Sequence, residues 1–425
     1  MAVVTTDEGR GDSRDVYVPP GERSMAHHSY LSPDGRSVLI VQMSSQGTML
    51  PCRVVPFQGK GDVRVVGPPN GECDAGAWSP DGKWIYLNVK TDAFHIWRQR
   101  FPEGQPEQLT FGPTSQEGIA MAPDGKSLIT AVGSQDSTVW MHDKDGDHQI
   151  SSEGFASSPR FSLDGRRLYF LKANSQTSDH ELWSEDLVSE KMEQVLKGYP
   201  METSFILENY SISGDGKEVA FVMKGKAGRS SLWIAPTSRR SSPVHLSSAA
   251  VEDSPFFLPD GDLVFRAIEG GSNFLYQMKA DGTGRRKIAP EPILDIFAVS
   301  PDGRWVVAAS RSSDEDNPAS IKAFAVDGSA AVPVCLRWCF FRWDTTGNFA
   351  YLFFPGLSQD SYPIPVIHDL GLPKIPPAGF AGLEDIPNAK TNAAIPLLVQ
   401  SAVGRSVYAY SRVNTRRNLY RIHLP

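Results

Sequence analysis

WSPDGKWIYLNV, residues 78–89, reads as a β-hairpin built around a short turn. Proline presets φ at the first corner of a type I turn, Asp tolerates the second and bonds back to the backbone, and Gly supplies the left-handed residue that completes the loop. In the strand that follows, Ile85 and Leu87 mark one face, yet Tyr86 between them is also largely apolar. A strand apolar on both faces is covered on both faces.

Close copies return along the chain: YLSPDGRSVLIV (30–41), AMAPDGKSLITAV (120–132), RFSLDGRRLYFL (160–171), SISGDGKEVAFV (211–222), FFLPDGDLVFRA (256–267), AVSPDGRWVVAA (298–309) and RWDTTGNFAYLFF (342–354). With the first stretch they make eight copies, whose glycines at 35, 82, 125, 165, 216, 261, 303 and 347 are spaced by 40 to 51 residues. Four residues before each glycine stands an apolar side chain: Leu31, Trp78, Met121, Phe161, Ile212, Phe257, Val299 and Trp343. Later in each unit comes a strand with a central aromatic, as in HIWRQRF (Trp97), STVWMHD (Trp140), HELWSED (Trp183), SSLWIAP (Trp233) and FLYQMKADG (Tyr276). A polar turn and a short strand such as EQLTFG or VHLSS close the unit.

A repeat of this length and order predicts an all-β fold, a β-propeller of four-stranded antiparallel blades. Helical solenoids are excluded because no segment sustains a 3.6-residue period. Roughly nine blades of this length fit in the chain, with eight as the alternative if residues 355–425 form one distorted blade. GRSVYAYSRV (404–413) and NLYRIHLP (418–425) read as the second and third strands of a ninth unit. After a flexible tail at 1–13, DVYVPP (15–20) is expected to supply the missing strand against 405–424 and close a single ring over 14–425, since closure removes free sheet edges.

The S-P-D-G hairpins, the LW and IW strands and the closure QPEQLTFGP (105–113) resemble TolB-type propeller repeats over nearly the whole chain. More narrowly, RDVYVPP, WRQRFPEGQPEQLTFGP, GIAMAPDGKSLITAVG, SSEGFASSPRFSLDGRRLYFL and the terminal RRNLYRIHLP resemble the C-terminal propeller region of acidobacterial serine/threonine protein kinases. That resemblance implies a sensory or protein-binding module, with a kinase as partner. The chain itself has no G-x-G-x-x-G loop, no H-R-D and no D-F-G, so no kinase catalytic machinery is legible in it.

Other function classes are limited by composition and motifs. With 42 Lys+Arg against 49 Asp+Glu, the net charge of −7 gives no bulk attraction for nucleic acid. No apolar run approaches the roughly 20 residues that span a bilayer, and MAVVTTDEGRGDSRD has no hydrophobic segment of the signal-peptide kind. The expectation is a monomer that is cytoplasmic as the chain is written, or periplasmic if it belongs to a membrane-spanning kinase. There is no G-x-S-x-G elbow, no H-E-x-x-H and no C-x-x-C pair. The reading is therefore non-catalytic and without cofactor or metal; the alternative is a propeller hydrolase or lyase acting at the channel mouth.

Eight residues before each hairpin glycine stand His27, Asp74, Glu117, Ser157, Glu208, Asp253, Asp295 and Cys339, of which five are carboxylates. This position is expected in the loop entering the innermost strand, so equivalent residues would repeat around the channel mouth. One reading has the carboxylates accepting loop amides and locking blades together. The other makes His27, Asp74, Glu117, Glu208, Asp253 and Asp295 a ring of negative potential that draws a protein or small cationic ligand into the funnel.

The four cysteines fall into two local pairs, Cys52/Cys73 and Cys335/Cys339. Disulfides tying an outer strand to the next blade, and an oxidising compartment, are compatible with that pattern; buried free thiols are equally so. Residues 355–396 are rich in proline and read as a semi-rigid excursion over one face or as a docking arm, with a short helix at GLEDI. RVNTRRN (412–418) reads as a solvated hairpin tip and RSSDEDNPA (311–319) as an exposed loop.

Overall fold

A computed structural model of the protein describes residues 3–5, 14–19, 25–44, 49–59, 61–152, 154–174, 180–199, 201, 209–224, 230–238, 241–246, 251–311, 319–387 and 394–424. Each repeat hairpin folds as its turn residues dictate: the glycines at 35, 82, 125, 165, 216, 261, 303 and 347 all take positive φ. A serine adds a clasp that turn propensity alone does not describe. In the second hairpin Ser79 Oγ donates to Asp81 at 2.6 Å and accepts the Trp84 amide at 2.9 Å, while Asp81 also accepts the Lys83 amide at 3.1 Å. The same clasp recurs at Ser32/Asp34, Ser162/Asp164, Ser213/Asp215 and Ser300/Asp302. In RWDTTG the serine's place is taken by Asp344, which accepts the Phe349 amide at 2.9 Å.

The strands behind these turns assemble into seven four-stranded sheets among the described residues, each using consecutive strands in sequence order. Their pairings are antiparallel throughout. The strand after the turn is covered on both faces in the first two repeats, as its apolar pattern requires: Val38 to Val41 and Ile85 to Leu87 are all buried, whereas Ile129 after the third turn is exposed. Each such aliphatic side chain stabilises the sheet stack by about 1.5–3 kcal/mol relative to exposure.

The chain divides into two compact units where the sequence leads one to expect a single ring. One comprises Met1–Gln135 with Asn414–Pro425, the other Asp136–Val413. Two strands that read as hairpins run straight on instead. Ser127–Asp143 continues through Gly133, and Tyr408–His423 through the expected tip at 412–418; the two lie side by side in a five-stranded sheet with Ser115–Met121, Gly146–Gln149 and Ser401–Ala402. RVNTRRN contains neither Gly nor Pro, while its β-branched Val413 and Thr415 favour extension. Gly133 serves close approach rather than a turn, because a Cβ there would collide with the Arg416 carbonyl.

The termini differ from expectation in the same way. Arg14–Tyr17 pairs with Val3–Thr5, within the segment read as a tail, and the C-terminal strand takes its partners from the five-stranded sheet, not from 15–20. The proline-rich stretch is likewise partly regular: Ser361–Ile367 and Leu372–Pro373 are the third and fourth strands of the sheet that begins at Phe340–Trp343. Pro363 and Pro365 are tolerated there because alternate amides face opposite edges. Val366 donates to Asn348 on the preceding strand's side, whereas the following strand pairs only with Val366 and Ile367. The expected helix at GLEDI is a single 3-10 turn, Leu383–Asp385.

Both cysteine pairs are disulfides. Cys52, just before the third strand Arg53–Pro56, bonds to Cys73 on the first strand of the next sheet, Glu72–Trp78. Cys335 ends the fourth strand Ala331–Cys335 and bonds to Cys339 immediately before Phe340–Trp343.

Candidate functional site

Among the described residues, six of the positions eight residues before a hairpin glycine fall at a structural irregularity within a strand, and Cys339 lies just before Phe340–Trp343. Pairing between the first two strands shifts at Ala26/His28, Cys73/Ala75, Glu117/Ala120, Ser157/Arg160, Asp253/Phe256 and Ile293/Asp295, so each of these positions sits at or beside a β-bulge. His27, Asp74 and Glu117 belong to the first compact unit, Asp253 and Asp295 to the second, and Glu208 lies outside the described residues. The side chains do different things. His27 is exposed with its ring 4.2 Å from that of His28, Asp74 is half-buried, and Glu117 pairs with Arg417.

Asp253 and Asp295 serve the interior. Asp253 holds Arg266 in a two-pronged ion pair at 2.6 and 2.7 Å, with both side chains nearly buried. Asp295 is 3% exposed and accepts the Ile296 amide at 2.8 Å and the Ser254 hydroxyl at 3.3 Å. Burial alone would lower the Arg266 pKa, but the charge and hydrogen bonds of Asp253, with the charge of Asp295, raise it above the usual guanidinium value. Cys339 of the same register is in its disulfide. Among the described residues, none of this register lines the cavity described next.

That cavity, of about 190 Å³, lies within the second unit and is bordered by the first strands of five sheets and by an edge strand of the five-stranded sheet. Those strands are Ala156–Phe161, Tyr210–Ile212, Glu252–Phe257, Ile293–Val299, Phe340–Trp343 and Ser401–Ala402. They present Arg160, Ser211, Phe256, Ala298, Arg342 and Ser401 to it. Hydroxyls on two of these strands clasp a neighbour in the same way. Ser211 accepts the Phe257 amide at 3.1 Å, and Ser401 accepts the Phe161 amide at 3.0 Å. On its other side the Ser401–Ala402 segment meets the sheet of Phe340–Trp343. There the Ala402 carbonyl accepts the Thr345 amide, and Asp344 accepts the Gly404 amide at 3.0 Å.

Among the described residues, the charged members of the lining are Arg160, Arg342 and Asp344. Asp344 is fully buried and directed to the turn and the neighbouring strand through the Phe349 and Gly404 amides and the Thr346 hydroxyl. Arg160 lies 5.0 Å from the Phe256 ring and 5.4 Å from the Tyr210 ring, at cation–π distance from both. Trp343, Phe257 and Phe297 make the remaining wall largely apolar.

Solved structures of TolB are similar to this chain. The putative TolB from Agrobacterium tumefaciens is 17% identical with a TM-score of 0.45, over 66% of this chain and 99% of that one. Oligogalacturonate lyase from Vibrio parahaemolyticus is 12% identical with a TM-score of 0.37, over 80% of this chain and 81% of that one. A nidogen/laminin complex structure is 9% identical with a TM-score of 0.40, over 59% of this chain and 95% of that one. No family model and no curated protein matches the chain.

Arg160 and Arg342 belong to a different column of the repeat from the acidic one. Five residues before the glycines stand Tyr30, Ala77, Ala120, Arg160, Ser211, Phe256, Ala298 and Arg342. Two arginines in a column otherwise small or aromatic were a visible signal. The structure places Arg160, Ser211, Phe256, Ala298 and Arg342 of this column at the cavity, while the described carboxylates of the acidic column sit at or beside bulges.

Proposed function

We propose that Asp136–Val413 is a closed six-bladed propeller whose central cavity is a binding site, and that the protein is a non-catalytic ligand- or partner-binding module. In this reading one blade is composite: its inner strands come from Ser401–Ala402 and the start of Tyr408–His423, its outer ones from the end of Ser127–Asp143 and from Gly146–Gln149. The observation that carries it is the convergence of six strands, five of them the first of their sheets, on one cavity, with Ser401–Ala402 clasped on both sides. A rigid scaffold with a partly apolar cavity and a few convergent polar groups is suited to binding. Resemblance of the repeats to the propeller region of serine/threonine kinases supports, as a further part of the proposal, a sensory role in a kinase system.

A ligand that binds the native state raises the melting temperature, so a thermal-shift panel of carboxylates, polyamines, divalent cations and short peptides tests the site. Ala298→Phe, which fills the cavity, is the matched control. A stabilising ligand whose effect vanishes in that variant is the expected result. Stabilisation that Ala298→Phe leaves unchanged for every active compound would reject the cavity. The kinase association is tested by reading the DNA upstream for an in-frame sequence bearing an H-R-D loop.

A further inference from the structure

We propose that the outer edge of residues 416–423 receives an extended, acid-bearing segment of a partner protein as an added strand. This edge belongs to the first compact unit, and the cavity to the second. In the first unit Arg53–Pro56 is bordered by Arg64–Val65, and Phe94–Arg100 by Pro106–Gln108, so each of these third strands has a fourth beside it. Residues 416–423 take the third place of the next sheet, beside Ser127–Asp143, in the same register. Leu424 donates to the Lys126 carbonyl as Phe101 does to that of Lys83, and each lysine directly follows its hairpin glycine. Ser401–Ala402 pairs only with Tyr408 and Ala409, and among the described residues no strand borders 416–423 on its outer side. Arg416 to Arg421 are all exposed.

The preceding sheet shows what fits such an edge. There Glu107 stands opposite Arg98 and its carboxylate takes the guanidinium at 2.8 and 2.9 Å, while Leu109 donates to the Ile96 carbonyl at 2.8 Å. By the shared register Arg421 is the counterpart of Arg98, and Leu419 of Ile96. Strand amides alternate between the two edges, so with Leu424 turned inward those of Arg421 and Leu419 turn outward. Arg421 is oriented by donating from Nε to Ser127 Oγ at 2.9 Å, and no carboxylate pairs with it among the described residues, since Glu117 is taken by Arg417. Leu419, 77% exposed, offers apolar surface to a side chain placed as Leu109 is. The complement is an extended segment carrying an acid, one further residue and then an apolar side chain, added through main-chain hydrogen bonds. A second copy is a poor occupant, because edge-to-edge pairing would set Arg416, Arg417 and Arg421 against one another, and like charges opposite each other destabilise a sheet.

The test is fluorescence-anisotropy titration of the full chain into the labelled peptide GQPEQLTFG, a copy of residues 104–112. Saturable binding is expected, weakened about two- to fivefold when the peptide's glutamate is replaced by glutamine, the range for an exposed ion pair. N-methylation of the glutamate and leucine amides, which face the edge, should abolish binding, and N-methylation of the glutamine amide between them should leave it. Arg421→Glu should lose the peptide and regain binding when the peptide carries lysine in place of its glutamate. Because the methylation comparison uses the unaltered protein, misfolding of the variant does not remove the test. An absence of saturable binding overturns the proposal, as does an equal effect of the two methylations, which would mean attachment by something other than strand addition. Parent peptide held as tightly by Arg421→Glu as by the unaltered chain overturns the acid assignment. If sedimentation shows a dimer of the chain that the peptide dissociates, the edge belongs to a second copy and the partner assignment fails.

Discussion

Pro259 Cδ lies 2.8 Å from the point where a Cβ on Gly303 would stand. The proline of one hairpin thus occupies the space above the glycine of the next, and Pro33 with Gly82, Pro80 with Gly125 and Pro301 with Gly347 repeat the relationship at 3.0 to 3.8 Å. Val403 takes the proline's part beside Gly165 at 3.3 Å. The motif therefore shapes its own turn and also meets the adjoining one. Gly303→Ala should cost about 1–2 kcal/mol for its positive φ and a further 1–3 kcal/mol for overpacking against the ring. Gly216→Ala, at nearly the same φ but with nothing within 4 Å, should show the conformational part alone. Urea denaturation of both variants, and of Gly303→Ala in a Pro259→Ala background, separates the two contributions; equal losses in the two single variants would count against the contact.

The serine clasp makes a second prediction. Ser79→Ala removes both the donor to Asp81 and the acceptor of the Trp84 amide, and should destabilise by about 1–2 kcal/mol. An unchanged urea midpoint would show that the clasp is replaceable by water.

The clasped aspartates also set an acid limit. The Lys217 amide and the Ser213 hydroxyl, with help from the Lys217 side chain, hold Asp215 down to about 2 from its ordinary 3.8. The Ser hydroxyl and then a backbone amide lower Asp34, Asp81 and Asp164 as well. A depressed carboxylate stabilises the fold fully above its unfolded pKa, and that contribution disappears as pH falls through the folded one. Asp215→Asn should therefore be less stable than the parent at pH 7, with the gap closing between about pH 4 and pH 2. Melting curves across that range check it; a gap that stays constant to pH 2 contradicts the assignment.

Asp253 is expected to be a stability residue. Asp253→Asn leaves the Arg266 guanidinium buried without its ion-pair partner, a change that costs about 3–5 kcal/mol in comparable settings. Replacing both, as Asp253→Leu with Arg266→Met, should recover much of that loss. A wild-type denaturation midpoint for Asp253→Asn would show that the interior does not depend on the pair.

The two disulfides should differ in weight. Cys52–Cys73 closes 21 residues and Cys335–Cys339 only 4. Chain-entropy arguments assign about 3 kcal/mol to the former and about 2 kcal/mol to the latter. Paired serine substitutions compared by denaturant unfolding would reveal the order.

What the sequence by itself determined was everything governed by near neighbours. The turn chemistry of S-P-D-G, the doubly apolar strand behind it and the aromatic strand after it fix four-stranded antiparallel sheets, because each choice acts over a few residues. The tertiary structure alone decided which ends pair. Ser127–Asp143 and Tyr408–His423 become long strands because each gives the other a partner, which outweighs the turn expected at 412–418. It also decided where the charged side chains go. Asp253 is taken up by Arg266 from the next strand and Glu117 by Arg417 from the far end of the chain, while Arg160 and Arg342 border the interior space. A residue's charge is written in the sequence, but what it faces depends on segments brought together only by packing.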